Sequence, residues 1–316
     1  MRRGCARGRP AHVAPMNPGM RSLRIGLALI TAGMAILGWP SAQTLANDAA
    51  QARTAGDHMA LVSGTEGGTE DGAKVSGRNV HELAEADEYN RRLARGLEDG
   101  AADGNDAANG YDTQLNAHGG VMGTLLVPRI GLQLPIRHGT DEATLSRGVG
   151  HLRGTSLPVG GVSTHAVLTS HRGLQTATLF TRIGELEEGD PIYVTASGRS
   201  LAYRVEAIHR SLTPDEASRR LGVVEGQDRL TLLTCTPVLV NTHRLLVSAV
   251  RMAMPDATAL PERMPLDSGA WARRWRIALP LPPAAALAFS MAAGPRHRRR
   301  HGQTTVRTAD PKGEES

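Results

Sequence analysis

The sequence predicts a mainly β domain over residues 121–254, a closed barrel of short strands with a few short helices. Two observations carry that expectation. Short apolar runs recur at regular spacing, and each is broken by Pro or Gly, as strands joined by tight turns are. The runs do not alternate with long helical periods, as a βαβ fold would require. An amphipathic helix precedes this domain, and an apolar segment near each end adds two candidate membrane segments.

The strands follow in order. GTLLVPRIGLQLPIRHG (123–139) holds two apolar runs cut by Pro and Gly, and AVLTSHRG (166–173) reads as a strand entering a glycine turn. FTRIGELEEGD (180–190) reads as one or two helical turns. PIYVTASGRSLAYRVEAIHR (191–210) is a hairpin bent at Ser197-Gly198. RLTLLTC (229–235) and RLLVSAVRM (244–252) are two further strands. Ahead of the barrel, in 81–120, Leu83, Ala86, Tyr89, Asn90, Leu93 and Leu97 recur at helical spacing, and residues 98–118 read as a polar, glycine-rich loop. Residues 40–80 read as a flexible spacer, because 47–80 is rich in Gly, Thr, Ser, Asp and Glu.

The charge is segregated. Residues 1–25 carry six Arg and no acid, and residues 271–316 carry nine basic residues against three acids. These two ends together hold +12 against a formal net charge of +5, which leaves −7 on residues 26–270. That distribution argues against a nucleic-acid binder, whose basic surface belongs on the folded domain. Basic tips beside apolar segments instead set orientation in a membrane. The expected order is a basic cytoplasmic tail (1–24), a signal anchor (25–39), the spacer, the helix and loop, and the barrel. A linker (255–276), a second span (277–294) and a second basic cytoplasmic tail (295–316) follow. The 15 residues Ile25–Trp39 lie between a signal-peptide core and a full span in length, and WPSAQTLAN offers no clean cleavage site. The 18 residues Ile277–Gly294 include three prolines, which membranes tolerate better than water does. Both termini are thus expected inside the cell and the barrel outside.

The chain has two cysteines, Cys5 in the inner tail and Cys235 in the exported part. With no partner in its compartment, Cys235 is expected as a free thiol, either buried and inert or kept for reactivity. A cysteine nucleophile needs a proton partner, and the oxyanion it creates needs a donor. His138, His151, His165, His171, His209 and His243 cannot be ranked by residue type. His171 stands out because it ends a strand and opens the His-Arg-Gly turn. Arg244 opens the strand after Cys235, so an antiparallel pairing would set the two side by side.

TLLTCTP (231–237) followed by NTHR (241–244) resembles the signature of the sortase family. VGHLRGTSLPVGGVSTHAVLTSHRGL (149–174) resembles the histidine block of that family, and GTLLVPRIGLQLPIRHGT (123–140) its opening strands. The match is closest to the class C enzymes, the pilin polymerases of Gram-positive bacteria. Ala86, Tyr89 and Asn90 fit the AxxYN helix of that class, and a C-terminal membrane segment is typical of it. The resemblance implies a sortase-type barrel with Cys235 as nucleophile, His171 as proton donor, Arg244 as oxyanion donor and Thr234 as substrate or oxyanion support. It implies a thioester made from an LPxTG-like signal on pilin or surface proteins, resolved by a lysine amine of an acceptor protein. No cofactor or metal is implied, and no acidic cluster has the spacing of a calcium site. One departure concerns the lid. Many class C enzymes carry Asp-Pro-aromatic there, whereas residues 98–120 hold no proline and one aromatic, which leaves Tyr111-Asp112 as the candidate lid or the site open. A cell-wall-anchoring sortase would share this chemistry and differ in acceptor. A non-catalytic membrane-tethered module would leave Cys235, His171 and Arg244 uncoupled.

Overall fold

The computed structural model describes residues 18–63, 70–96, 110–116, 119–238 and 240–255. The two expected cytoplasmic tails, nearly all of the 255–276 linker and the 277–294 segment lie outside these residues, except that 18–24 is described as helix.

Eight strands close into a barrel in the order β1-β2-β3-β4-β7-β8-β6-β5. They are β1 (Gly123–Val127), β2 (Leu132–His138), β3 (Val149–His151), β4 (Thr164–Thr169), β5 (Pro191–Ala196), β6 (Arg199–Leu212), β7 (Asp228–Thr236) and β8 (His243–Met252). The pairs β2/β3 and β4/β7 are parallel and the other pairs antiparallel. The 191–210 hairpin forms as expected, with Ser197 and Gly198 both at positive φ (44° and 81°), the backbone that a two-residue hairpin turn requires. Leu125, Ile136, Leu168, Leu232 and Val247 fill the interior, packed with Phe180 and Ile183 from the 3-10 segment Leu179–Glu185. The filling is mostly aliphatic, in keeping with two Phe in the whole chain.

Two long helices wrap this barrel. α1 (Pro18–Ser63) is continuous through the apolar stretch and beyond it, with Pro40 inside. α2 (Glu70–Ala94) contains the expected amphipathic helix and begins earlier than its apolar spacing indicates. The expected flexible spacer is therefore corrected over residues 40–63 and 70–80, which are helical. The physical reason lies in how that face is built. Thr44, Gln51, Ala55, His58 and Val62 are buried at helical intervals, but most of them are small or polar, so the buried face forms no apolar stripe in the sequence. Hydrogen bonds fix it instead, among them Thr124 Oγ1 to Ala55 O (3.1 Å) and Asn79 Nδ2 to Val62 O (3.2 Å).

The Ala86/Tyr89/Asn90 motif has a structural role. Ala86 and Tyr89 enter the core, and Asn90 brackets the 157–160 loop. Its Nδ2 donates to Leu157 O (3.0 Å), and its Oδ1 accepts from Leu157 N (2.7 Å). Asp87 adds an ion pair to Arg199 at the start of β6 (2.7 Å).

Candidate active site

Side chains alternate across a strand, so the core sorts β7 into two faces. Leu230 and Leu232 point inward. Cys235 therefore falls on the outer face, partly buried and with no disulfide. On β8, Leu245 and Val247 are core, which puts Arg244 on the outer face too. Cys235 and Arg244 are direct cross-strand partners, so their Cα atoms lie about 5 Å apart. On the other side of β7, Thr169 of β4 pairs with Leu233, and Ser170 N donates to Leu233 O (3.4 Å). Two residues further along stand His171, just past the end of β4, and Cys235 on β7, which extends the register to a row of three with Arg244 on β8.

The polar partners leave this row open for chemistry. Among the described residues, the Cys235 thiol has no side-chain hydrogen-bond partner. Arg244 Nη1 donates to Asn241 O and His243 O, both at 3.1 Å, and among the described residues Nε and Nη2 are unengaged. His171 Nε2 meets Glu142 Oε2 at 3.0 Å from helix α3 (Glu142–Leu145), with the imidazole 27 % and the carboxylate 79 % exposed. Thr234, expected as substrate or oxyanion support, points inward and donates from Oγ1 to Ser170 O (2.8 Å), fixing the backbone just before His171.

Two residues that sequence reasoning missed tighten the same frame. Arg172 Nη1 donates to Thr236 Oγ1 (2.9 Å), so the residues after His171 and after Cys235 are tied to each other. Gly173 follows at φ 80°, and a Cβ there would run into the Val238 side chain. The histidine turn and the turn after the cysteine are thus interlocked. Arg172 sits inside the His-Arg-Gly motif and could have been singled out. Glu142 lies 29 residues from His171, with no sequence signal connecting them.

The structure also separates the six histidines. His151 is fully buried, between Tyr111 Oη at Nδ1 and Ser156 O at Nε2 (both 2.8 Å), and burial pushes its pKa down to about 4. His165 bonds Gly222 O (2.9 Å) and Thr231 Oγ1 (2.8 Å), and burial lowers its pKa as well. His138 bonds Gln114 O (2.7 Å) and is lowered for the same reason. His243 pairs with Thr236, on the face away from Cys235, and His209 sits on β6. His165 shares the outer face of β4 but lies level with Arg229, six residues from Cys235, whereas His171, two residues past the Thr169–Leu233 pairing, is the one of the six that the register brings level with Cys235.

Tyr111 and Asp112, the candidate lid, lie against the C-terminal ends of β2 and β3, where His138, Gly139 and His151 meet the Tyr111 ring. The Tyr111 ring is buried, its hydroxyl accepts from Gly139 N (3.2 Å), and Arg153 covers its face at 4.7 Å while pairing with Asp112 (2.9 Å). Burial raises the Tyr111 pKa strongly, so this phenol stays neutral.

Comparison with known proteins bears on the whole arrangement. Residues 125–252 match the family model of the sortase domain. The crystal structure of sortase C-1 from Actinomyces oris is 42 % identical, over 56 % of this chain and 99 % of that one, with a TM-score of 0.51. The chain belongs to the sortase family. Sortase A from Corynebacterium diphtheriae is 39 % identical over 57 % of this chain and 86 % of its own, with a TM-score of 0.51. Sortase D of Bacillus subtilis is 32 % identical over 119 residues, 38 % of this chain. The match spans little more than half the length of that curated relative, 56 %. Sortases of differently lettered types thus all resemble this one.

Proposed function

We propose that this sortase is a membrane-anchored cysteine transpeptidase that joins pilin subunits. The observation that carries the proposal is the outer row, with Cys235 between His171 on one side and Arg244 on the other. The Cys235 thiolate attacks the Thr–Gly carbonyl carbon of an LPxTG-like signal, forming a C–S bond and an oxyanion. Arg244 donates Nε–H and Nη2–H to that oxyanion. As the C–N bond breaks, His171 gives its proton to the leaving glycine amine, and a thioester remains. An acceptor amine then attacks the thioester, its extra proton passes to His171, and the thiolate departs. Thr234, Arg172 and Thr236 hold the two turns in register while the charge moves.

The apolar stretch Ile25–Trp39 belongs to the described helix that is long and apolar enough to cross a membrane. With basic residues before it, this stretch anchors the chain with its N-terminus inside and the barrel outside. The acceptor is a lysine of a second pilin. Ala86, Tyr89 and Asn90 support that choice through their likeness to the class C motif, as does the resemblance to sortase C-1 of Actinomyces oris. A docked subunit presents its lysine nearly intramolecularly, an advantage worth several kcal/mol that a free amine lacks.

The test mixes the enzyme with an LPxTG-bearing pilin and offers either a lysine-bearing pilin or a short peptidoglycan-stem amine. Ladders of cross-linked pilin, with the isopeptide mapped to one lysine, are expected. Efficient use of the stem amine with pilins left monomeric would make the enzyme a wall anchor.

A further inference from the structure

The direction in which α1 crosses the barrel fixes which pole looks at the lipid. β7 runs from Asp228 to the Cys235 end, and β8 leaves from that end at His243. β6 starts at Arg199 beside the Ser197-Gly198 turn and ends at Leu212, which pairs with Arg244. The barrel therefore has a catalytic pole, with Cys235, His171 and Arg244, and an opposite pole at the β5–β6 turn.

α1 touches these poles in order. Its early contacts are to the loop that follows the His171 turn. Thr44 Oγ1 donates to Gln175 O (2.7 Å) and Asn47 Nδ2 to Thr176 O (2.8 Å). Asp48 accepts from Thr178 N (2.9 Å) and Thr178 Oγ1 (2.6 Å). Its middle crosses β1 at Thr124. Its last turn reaches the opposite pole, where a Cβ on Gly198 would meet Val62 O at 2.9 Å. Followed backwards, the helix leaves the barrel on the catalytic side. Trp39, the end of the apolar stretch, is five residues before Thr44, about 7–8 Å along the axis. Ile25, Leu27, Leu29, Ile36, Leu37 and Trp39 beyond it are each at least 60 % exposed. Pro40 bends a helix without reversing it. Exposed valines stand at both poles (Val238 and Val240, against Val162 and Val223), so apolar exposure does not choose between them. The direction of α1 does.

We propose that α1 is a rigid strut that holds the catalytic pole against the lipid surface, so that peptides reach Cys235 through the gap between barrel and bilayer. This rests on the proposed membrane anchor. The strut sets both height and rotation, because its bonds to 175–178 and to Ser146 O of the α3 end (Gln51 Nε2, 3.5 Å) flank the segments that carry His171 and Glu142.

The experiment places the full chain, with Cys5→Ser and Cys235→Ala, in vesicles with acceptor dye on the lipid headgroups. One donor dye is attached through Val240→Cys at the catalytic pole and, separately, one through Glu225→Cys at the other pole. The nine residues of β7, at about 3.3 Å each and tilted as barrel strands are, separate the two heights by about 20–25 Å. Energy transfer several-fold stronger from position 240 is expected. A flexible Gly-Ser insertion after Ser41 should bring the two signals together. Equal or reversed transfer in protein that floats with the vesicles overturns the orientation and leaves the anchor standing. Unchanged asymmetry with the insertion overturns the strut, and protein that fails to float overturns the anchor and this inference with it.

Discussion

Two histidine-bearing regions of this barrel share a residue type and little else. Around His151, the Tyr111 hydroxyl takes Nδ1 and the Ser156 carbonyl takes Nε2, the Tyr111 ring stacks on the imidazole with His138 and Arg153 against that ring's other sides, and solvent is excluded. Around His171, an exposed carboxylate holds one nitrogen, and the ring stands at the outer surface beside a thiol that has no hydrogen bond among the described residues. The difference teaches that bond saturation and access, more than the number of neighbours, separate a histidine that holds the fold from one that can pass a proton.

That contrast can be broken most forcefully by acid. The folded pKa of His151 is about 4, below its unfolded value of about 6.5. The unfolded chain therefore binds the extra proton first, and stability present above pH 6.5 is lost as pH falls toward 4. Between pH 7 and pH 4.5 the urea midpoint should fall, with His151 alone contributing on the order of 2–3 kcal/mol, and His138 and His165 acting in the same direction. A flat profile would mean that the cluster is not held neutral. In the row proposed as catalytic the expected effect falls on rate. Arg244→Lys should leave thermal unfolding unchanged yet slow turnover by about 100-fold, because an ammonium cannot reproduce two parallel donors. Near-normal turnover would make Arg244 a bystander. The smallest effect belongs to Glu142→Gln. A partner so exposed is screened by water, so kcat/KM should change by less than about fivefold. A larger loss would make Glu142 a true positioning residue and draw the two histidine regions closer in kind.

Much of this was legible in the chain. Strand limits at 229–235 and 244–252 are within a residue or so of β7 and β8, because parallel and central strands show as unbroken apolar runs. The Cys235–Arg244 pairing followed from a short connection between antiparallel strands. The docked half of α1 was not legible, because a face of Thr, Gln, Ala and His is bonded to the barrel more than it is hydrophobic. Tyr111 stands out in the sequence as a lone aromatic in a polar segment, but its partners His151 and Gly139 are distant in sequence, so nothing local reveals that its ring is buried. Glu142 and the Arg172–Thr236 tie were missed because they depend on how two turns meet in space.

The most direct test of the central claim is intact-protein mass spectrometry after incubation with an LPxTG-type peptide and no acceptor amine. One acyl adduct, mapped to Cys235, is expected. The adduct should persist in Cys5→Ser and be lost in Cys235→Ala. An adduct of the same mass on the Cys235→Ala protein would contradict that claim.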